Sequence, residues 1–225
     1  PKRIVFAEGE DDRVLRAVQV VCDEGIAKPL LIGRPSEIAE RIEASGLRIR
    51  EGVDYEVIYA DGCEFFDRHF DEFWQTYHRI MERKGVSPNY ARREIGRRAT
   101  LYGALMVQLG YADGLICGTF GRHETHRQYV ENVIGTQHGL DRYYTMNLLM
   151  LPGRTVFIAD TYVNYDPTAE QLADMTLLAA AEIRNFGMHP KVALLSHSTF
   201  GTEETPTAIK MREVLRILNE PTAAA

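Results

Sequence analysis

Cysteine is scarce in the 225-residue chain, and the three copies form no pattern. Cys22, Cys63 and Cys117 are odd in number, and no two make a C-x-x-C pair. That excludes a disulfide framework and a cysteine zinc site, and leaves three buried thiols of a cytoplasmic protein. Long apolar runs are missing as well. None approaches the ~20 residues that cross a bilayer, so no membrane partner is expected. No secretory leader stands before "KRIVFAEG", which again points to a cytoplasmic location. Excess positive charge is absent: the formal net charge is -6, which argues against nucleic acid as a partner. An anionic small molecule stays open, because a local cationic pocket can sit in an acidic protein. There is no G-x-G-x-x-G, no G-x-x-x-x-G-K-S/T and no G-x-S-x-G. Nothing therefore identifies a dinucleotide site, a nucleoside triphosphate site or a hydrolase elbow. Low-complexity tracts, long linkers and short repeats are absent too.

What is present reads as alternating strands and helices. Apolar runs at 2–7, 28–33 and 54–60 are separated by amphipathic stretches. In "DDRVLRAVQVVCDEG", Val14, Leu15, Val18, Val21 and Cys22 recur at helical spacing, with Asp11 as N-cap and Gly25 as the stop. "PSEIAERIEASG" opens on Pro35 and closes on Gly46. This is the βαβαβ unit of a parallel sheet. Residues 63–84 predict a long helix whose aromatic stripe is a core face, and Gly85 and Pro88 break it. Residues 89–109 predict one further helix, with Arg92, Arg93, Arg97 and Arg98 on one side, a solvated face or, as the alternative, a subunit contact. A strand "GLICG" and a helix from about 123 to 135 follow. Strands at 144–151 and 155–160 flank a Pro152-Gly153 turn, a hairpin signal. Thr168 and Gln171 make a capping box, and Gly187 ends that helix. A strand at 191–198 and a helix capped by Thr205 and Pro206 complete the pattern. The fold class expected is α/β: two lobes of α/β/α type with mostly parallel sheets. The first lobe spans 1–138 and an incomplete second lobe 139–225. The closing "PTAAA" reads as a tag or a cut end.

Ligands of open α/β sheets sit beyond the carboxyl ends of the strands. Four such ends are polar or glycine-rich: Glu8-Gly9-Glu10, Gly118 through Arg127, Asp160 through Asn164, and Ser196 through Thr199. The second is the richest. If a helix starts near His123, its free amides face Thr119 and Arg122, and Arg127 one turn on can grip the same anion in a two-pronged bond. The plainer reading is a polar loop whose arginines pair with Glu124 and Glu131. His123 and His126 stand three apart without a third ligand, so no metal is expected. Ser196, Ser198, Thr199 and the Gly201 backbone could hold a phosphate or pantetheine amides. Ser196 and His197 are no nucleophile–base pair, since neighbours in a strand point to opposite faces. Asp160 and Asn164 are either a pocket wall or turn residues.

Four stretches together resemble one family. "RIVFAEGEDDRVLRA", "ADGLICGTFGRHETHRQYVENVIG", "FIADTYVNYDPTAEQLADM" and "VALLSHSTFGTEETPTAIKMREVL" are similar, in order, to segments of the phosphate acetyltransferase (phosphotransacetylase) family. The likeness covers residues 2–219. "CGTFGRHETHRQYVENVIG" and "LSHSTFGT" resemble most the carboxyl-terminal phosphotransacetylase-like domain of hybrid NADP-dependent malic enzymes. Ordinary acetyltransferases carry a threonine-rich segment after the same glycine. The resemblance implies a two-lobed fold with a cleft, used as a dimer or larger homo-oligomer. In the acetyltransferases that cleft takes coenzyme A and acetyl phosphate. A thiolate attacks the acetyl carbonyl, and arginines stabilise the developing charge.

By resemblance, Arg127 matches the arginine after the threonine-rich segment, allowing a one-residue gap. Thr119 and Thr125 fall in the phosphate-binding stretch, and Ser196, Ser198 and Thr199 match a serine-rich strand end. Met81 stands where the family has an arginine, Arg83 replaces it only with a shift, and the family's later serine–arginine pair lies past residue 225. The resemblance therefore implies a domain without catalytic residues of its own. It would bind acetyl-CoA as a ligand and regulate a malic enzyme that oxidatively decarboxylates malate to pyruvate. NADP and the divalent metal would belong to an amino-terminal malic enzyme domain of the same polypeptide. A working phosphate acetyltransferase is the alternative, and an oligomerisation module with an empty cleft is the third.

Overall fold

The computed structural model describes residues 1–59, 62–136, 140 and 142–220. The chain divides into two compact units, Pro1–Gln137 and His138–Ala225. The boundary expected at 138 and the "PTAAA" tail lie outside the described residues.

Unit 1 is a four-stranded parallel sheet in the order β3-β2-β1-β4, built from β1 (Lys2–Phe6), β2 (Ala27–Ile32), β3 (Glu56–Ile58) and β4 (Gly114–Ile116). The helices are α1 (Asp12–Asp23), α2 (Pro35–Ala44), α3 (Glu64–Met81), α4 (Pro88–Ile95), α5 (Ala99–Gln108) and α6 (His123–Val133). Successive strand residues feed opposite cores, as the two-residue period requires. Val5, Leu30 and Ile58 pack with Phe73, Tyr102 and Leu105 of α3 and α5. Their neighbours Phe6, Leu31 and Val57 pack with Leu15, Val18 and Ile38 of α1 and α2. Both faces of the sheet are thus covered, which is why its strands read as apolar runs rather than as alternation. Asp11 caps α1 by accepting from the Arg13 amide at 2.9 Å, and Ser87 caps α4 by accepting from the Tyr90 amide at 3.3 Å.

The expected single helix at 89–109 is two. Arg98 is extended (φ -118°, ψ 93°), and the chain turns at Gly96–Arg98. The Glu94 carbonyl accepts from the Arg97 and Arg98 amides, both at 3.0 Å. The buried Glu94 carboxylate accepts from Arg98 Nε (3.2 Å) and the Tyr129 hydroxyl (3.0 Å). Glycine's low helix propensity sets the position of the break, and the tertiary anchor on Tyr129 fixes it.

Gly9 lets the turn after β1 lie against β2. A Cβ there would stand 2.9 Å from the Ile32 carbonyl oxygen and 2.9 Å from Leu31 Cβ. The Gly9 amide donates to that same carbonyl at 3.0 Å. Because backbone rather than a side-chain tip blocks the space, Gly9→Ala is expected to cost about 1–3 kcal/mol, the range for overpacking. A fall in the urea midpoint with an unchanged slope is the result that checks it; an unshifted midpoint contradicts it.

Unit 2 holds an antiparallel hairpin of β5 (Met146–Leu151) and β6 (Arg154–Ala159), followed by α7 (Ala169–Asn185) and α8 (Pro206–Leu218). The hairpin turns at Pro152-Gly153, with Gly153 left-handed at φ 73°. The Thr168–Gln171 capping box is formed, and Thr205 caps α8 by accepting from the Ala208 amide. The expected strand at 191–198 is not one. Among the described residues its backbone finds no ladder partner, and Val192 and Leu195 are exposed. A β-prone sequence without a neighbouring strand has nowhere to place its amide hydrogens. No helix among the described residues is long and apolar enough to cross a membrane.

Candidate functional site

The loop from Cys117 to Arg122 leaves β4 and enters α6, and three parts of unit 1 hold it. The Glu8 carboxylate, buried at the end of β1, accepts from the Gly118 amide at 3.0 Å. Arg13 on α1 donates to the Thr119 carbonyl at 3.1 Å. His126 on α6 spans the loop: Nε2 lies 2.9 Å from the Phe120 carbonyl, and Nδ1 lies 2.7 Å from the Thr100 hydroxyl. A carbonyl can only accept, so Nε2 carries the proton and Nδ1 accepts from Thr100. Gly121, left-handed at φ 95°, makes room for this ring; a Cβ there would lie 3.0 Å from Nε2. His126 is thus a strut with both nitrogens occupied. Among the described residues no group of three or more His, Cys, Asp or Glu side chains is placed to hold a metal. Burial pushes the Cys117 thiol up, and the Glu8 carboxylate adds to the effect while the Thr100 hydroxyl opposes it. That thiol stays protonated at neutral pH and is no nucleophile.

The predicted anion ligands of unit 1 have distinct surroundings. Arg122 is the exposed N-cap of α6 and leaves that helix start without a side-chain cap. Thr119 is half-buried and Thr125 exposed, both in the loop and first turn. Arg127 donates to Glu124 at 2.6 and 3.2 Å and to Glu131 at 2.5 Å. Hydrogen bonding to Arg127 holds the Glu124 carboxyl below its ordinary range, so that partner is ionised at neutral pH. Arg127 therefore reaches an incoming oxyanion only by sharing or exchanging a carboxylate.

The unit 2 residues fold their own turn. Ser196 Oγ accepts from the Ser198 amide at 3.2 Å, and Ser198 Oγ from the Glu203 amide at 3.0 Å. The Thr199 carbonyl accepts from the Thr202 hydroxyl at 2.9 Å. Arg212 on α8 clamps the far side through the Gly201 and Glu203 carbonyls. Phe200 at the tip is left-handed (φ 53°) and fully exposed. A left-handed non-glycine residue is rare and strained, and it sits beside the serine-rich stretch. Asp160 ties the end of β6 together by accepting from the Thr145 amide and from both nitrogens of Asn164. Burial pushes its carboxyl up, but these hydrogen bonds outweigh it and hold the group below its ordinary range. Asp160 and Asn164 act here as turn residues.

Sequence reasoning did not find the cavity of about 660 Å³ inside unit 1. It lies where the turns after β1, β2 and β3 meet the α4–α5 junction, with Glu8, Gly33, Tyr59, Arg97 and Phe120 among its walls. None of Thr119, Arg122, Thr125 and Arg127 lines it. The strand-end rule pointed to its Glu8–Glu10 rim; the α4–α5 break that completes it was hidden inside a predicted helix. Met81, the position where the resemblance places an arginine, is buried in the apolar core.

Residues 1–224 match the family described as phosphate acetyl/butaryl transferase. Over 220 residues, 98% of its length, the chain is 47% identical to NADP-dependent malic enzyme of Escherichia coli (strain K12), and it spans 28% of that protein. Over 218 residues, 97% of its length, it is 32% identical to phosphate acetyltransferase of Nitratidesulfovibrio vulgaris (Hildenborough), spanning 30% of it. The solved phosphotransacetylase from Streptococcus pyogenes superposes with a TM-score of 0.79 at 27% identity, covering 99% of this chain and 66% of that one. The chain thus spans less than a third of the curated relatives it matches.

Proposed function

The chain belongs to the phosphate acetyl/butaryl transferase family, and on that footing we propose that it is the acetyl-CoA-binding regulatory domain of an NADP-dependent malic enzyme. The likeness to a malic enzyme across 98% of this chain, but 28% of that protein, supports a domain fused to a larger catalytic polypeptide. The parent reaction is oxidative decarboxylation of malate to pyruvate and carbon dioxide. Its NADP and divalent metal belong to the other domain. Acetyl-CoA binds in the cytoplasm to a homo-oligomer and shifts the parent between a more and a less active state.

One observation carries the choice of regulator over transferase. An arginine that offsets charge in acyl transfer has Met81 as its counterpart, and Met81 is 7% exposed inside the core. A guanidinium cannot occupy that place without a buried partner. Binding groups remain: the uncapped start of α6 with Thr119, Arg122, Thr125 and Arg127 in unit 1, and Ser196, Ser198 and Thr199 in unit 2. Binding without turnover is what a regulatory site needs. Coupling of such a site to a distant reaction is typically worth ~1–3 kcal/mol.

The test pairs two measurements on the protein. Calorimetry is expected to show saturable binding of acetyl-CoA. An assay with acetyl phosphate and coenzyme A is expected to form no acetyl-CoA above background. Turnover at ~1–1000 per second would transfer the reading to a working phosphate acetyltransferase.

A further inference from the structure

We propose that the cavity at the carboxyl ends of β1, β2 and β3 is a second ligand site, for a small organic anion with an apolar body and a single phosphate or carboxylate. It does not rest on the acetyl-CoA reading, because the unit 1 residues offered for acetyl-CoA line no part of it. Its volume of about 660 Å³ falls within the ~300–1,000 Å³ of pockets that enclose small molecules.

The charges on the walls decide the kind of ligand. Glu10 is paired with Arg34 at 2.9 Å, Asp11 with Arg13 at 2.9 Å, and Glu8 holds the Gly118 amide. Arg41 is paired with Asp12 at 3.1 Å and Arg98 with Glu94 at 3.2 Å. Arg97 is the remaining charged residue of the lining, and among the described residues its side chain has no hydrogen bond or ion pair. It stands beside the start of α5, where Arg98 supplies no side-chain cap and Ala99 lines the cavity. One unpaired cation with free first-turn amides suits one anionic group. The three carboxylates in the same walls exclude a polyphosphate.

The rest of the lining suits an apolar body. Ile32, Ile58, Phe66, Ile95 and Phe120 are among the walls, and Phe120 is 62% exposed at the loop before α6. Tyr102 also lines the cavity. It is 2% exposed, stacked on Phe66 and Phe73, and its hydroxyl has no hydrogen-bond partner. That hydroxyl is closed off from the cavity, so Tyr102 contributes its ring to the apolar wall.

The experiment is a titration of the isotope-labelled chain, followed by amide NMR, with 2-naphthoate and 2-naphthyl phosphate as probes. Uncharged 2-naphthol is the control. Saturable shifts are expected at Gly33, Gly96 and Ala99, with 2-naphthol at least about tenfold weaker. The tighter of the two anions tells carboxylate from phosphate. Arg97→Ala, at an exposed position that the core does not need, is expected to weaken the anion about tenfold. Shifts confined to unit 2, equal affinity for 2-naphthol, or an Arg97→Ala chain that binds as before would each overturn the proposal.

Discussion

Arg127→Ala is expected to weaken acetyl-CoA binding by about 1.5–3 kcal/mol, the scale of a hydrogen bond to a charged group, or roughly 10- to 150-fold. The argument is electrostatic. Arg127 lies between Glu124 and Glu131, both solvent-exposed, so those pairs contribute little to the fold. A coenzyme oxyanion would compete for the same guanidinium at the positive end of the α6 dipole. Loss of the cation then removes affinity and leaves Glu124 and Glu131 to repel the ligand. The unfolding midpoint should move little. Calorimetric titration of the variant beside the wild type measures the first effect, and thermal melting measures the second. Unchanged affinity rejects Arg127 as a contact. Glu124→Gln gives the opposite sign: freeing half of the guanidinium should tighten binding.

The second large effect falls on the anchor of the same loop. Glu8→Ala is expected to destabilise unit 1 by about 2–4 kcal/mol. The Gly118 amide loses its acceptor at 3.0 Å, and a buried side chain leaves a void. Glu8→Gln keeps an acceptor oxygen and should recover more than half of the loss. Chemical denaturation of the two variants separates them. Equal stability of Glu8→Ala and wild type would mean that the loop is held by Arg13 and His126 alone. Faster hydrogen exchange at the Gly118 and Thr119 amides of Glu8→Ala is the local counterpart.

The fold was legible wherever one local signal set the outcome. Asp11, the Thr168–Gln171 box and the Thr205-Pro206 pair each mark a helix start that capping chemistry fixes within three residues. The hairpin at Pro152-Gly153 belongs to the same class. Two features depended on partners the sequence does not display. Residues 99–108 are apolar on nearly every side, with Thr100 through Met106 buried, so periodicity could not separate α5 from α4. The run at 191–198 has strand-like residues but no ladder beside it. The site divides in the same way. The pairing of Arg127 with Glu124 and Glu131 follows from helical spacing alone and stood as the plainer alternative. The role of His126 as a strut needed Thr100, 26 positions away, to be seen beside it. The cavity draws its walls from turns and helices scattered between Ala7 and Phe120, and no window of sequence contains it.

The position of β1 in the sheet has a kinetic meaning. β1 is an interior strand, bonded to β2 on one side and to β4 on the other. The first neighbour is made within some thirty residues, but the second waits for Gly114–Ile116. Closing so long a loop costs entropy before the pairing returns anything, which slows folding. As the chain leaves the ribosome, the open edge of β1 stays unpaired until most of unit 1 has been synthesised. During that interval its unpaired amides and carbonyls offer an edge that another strand can add to.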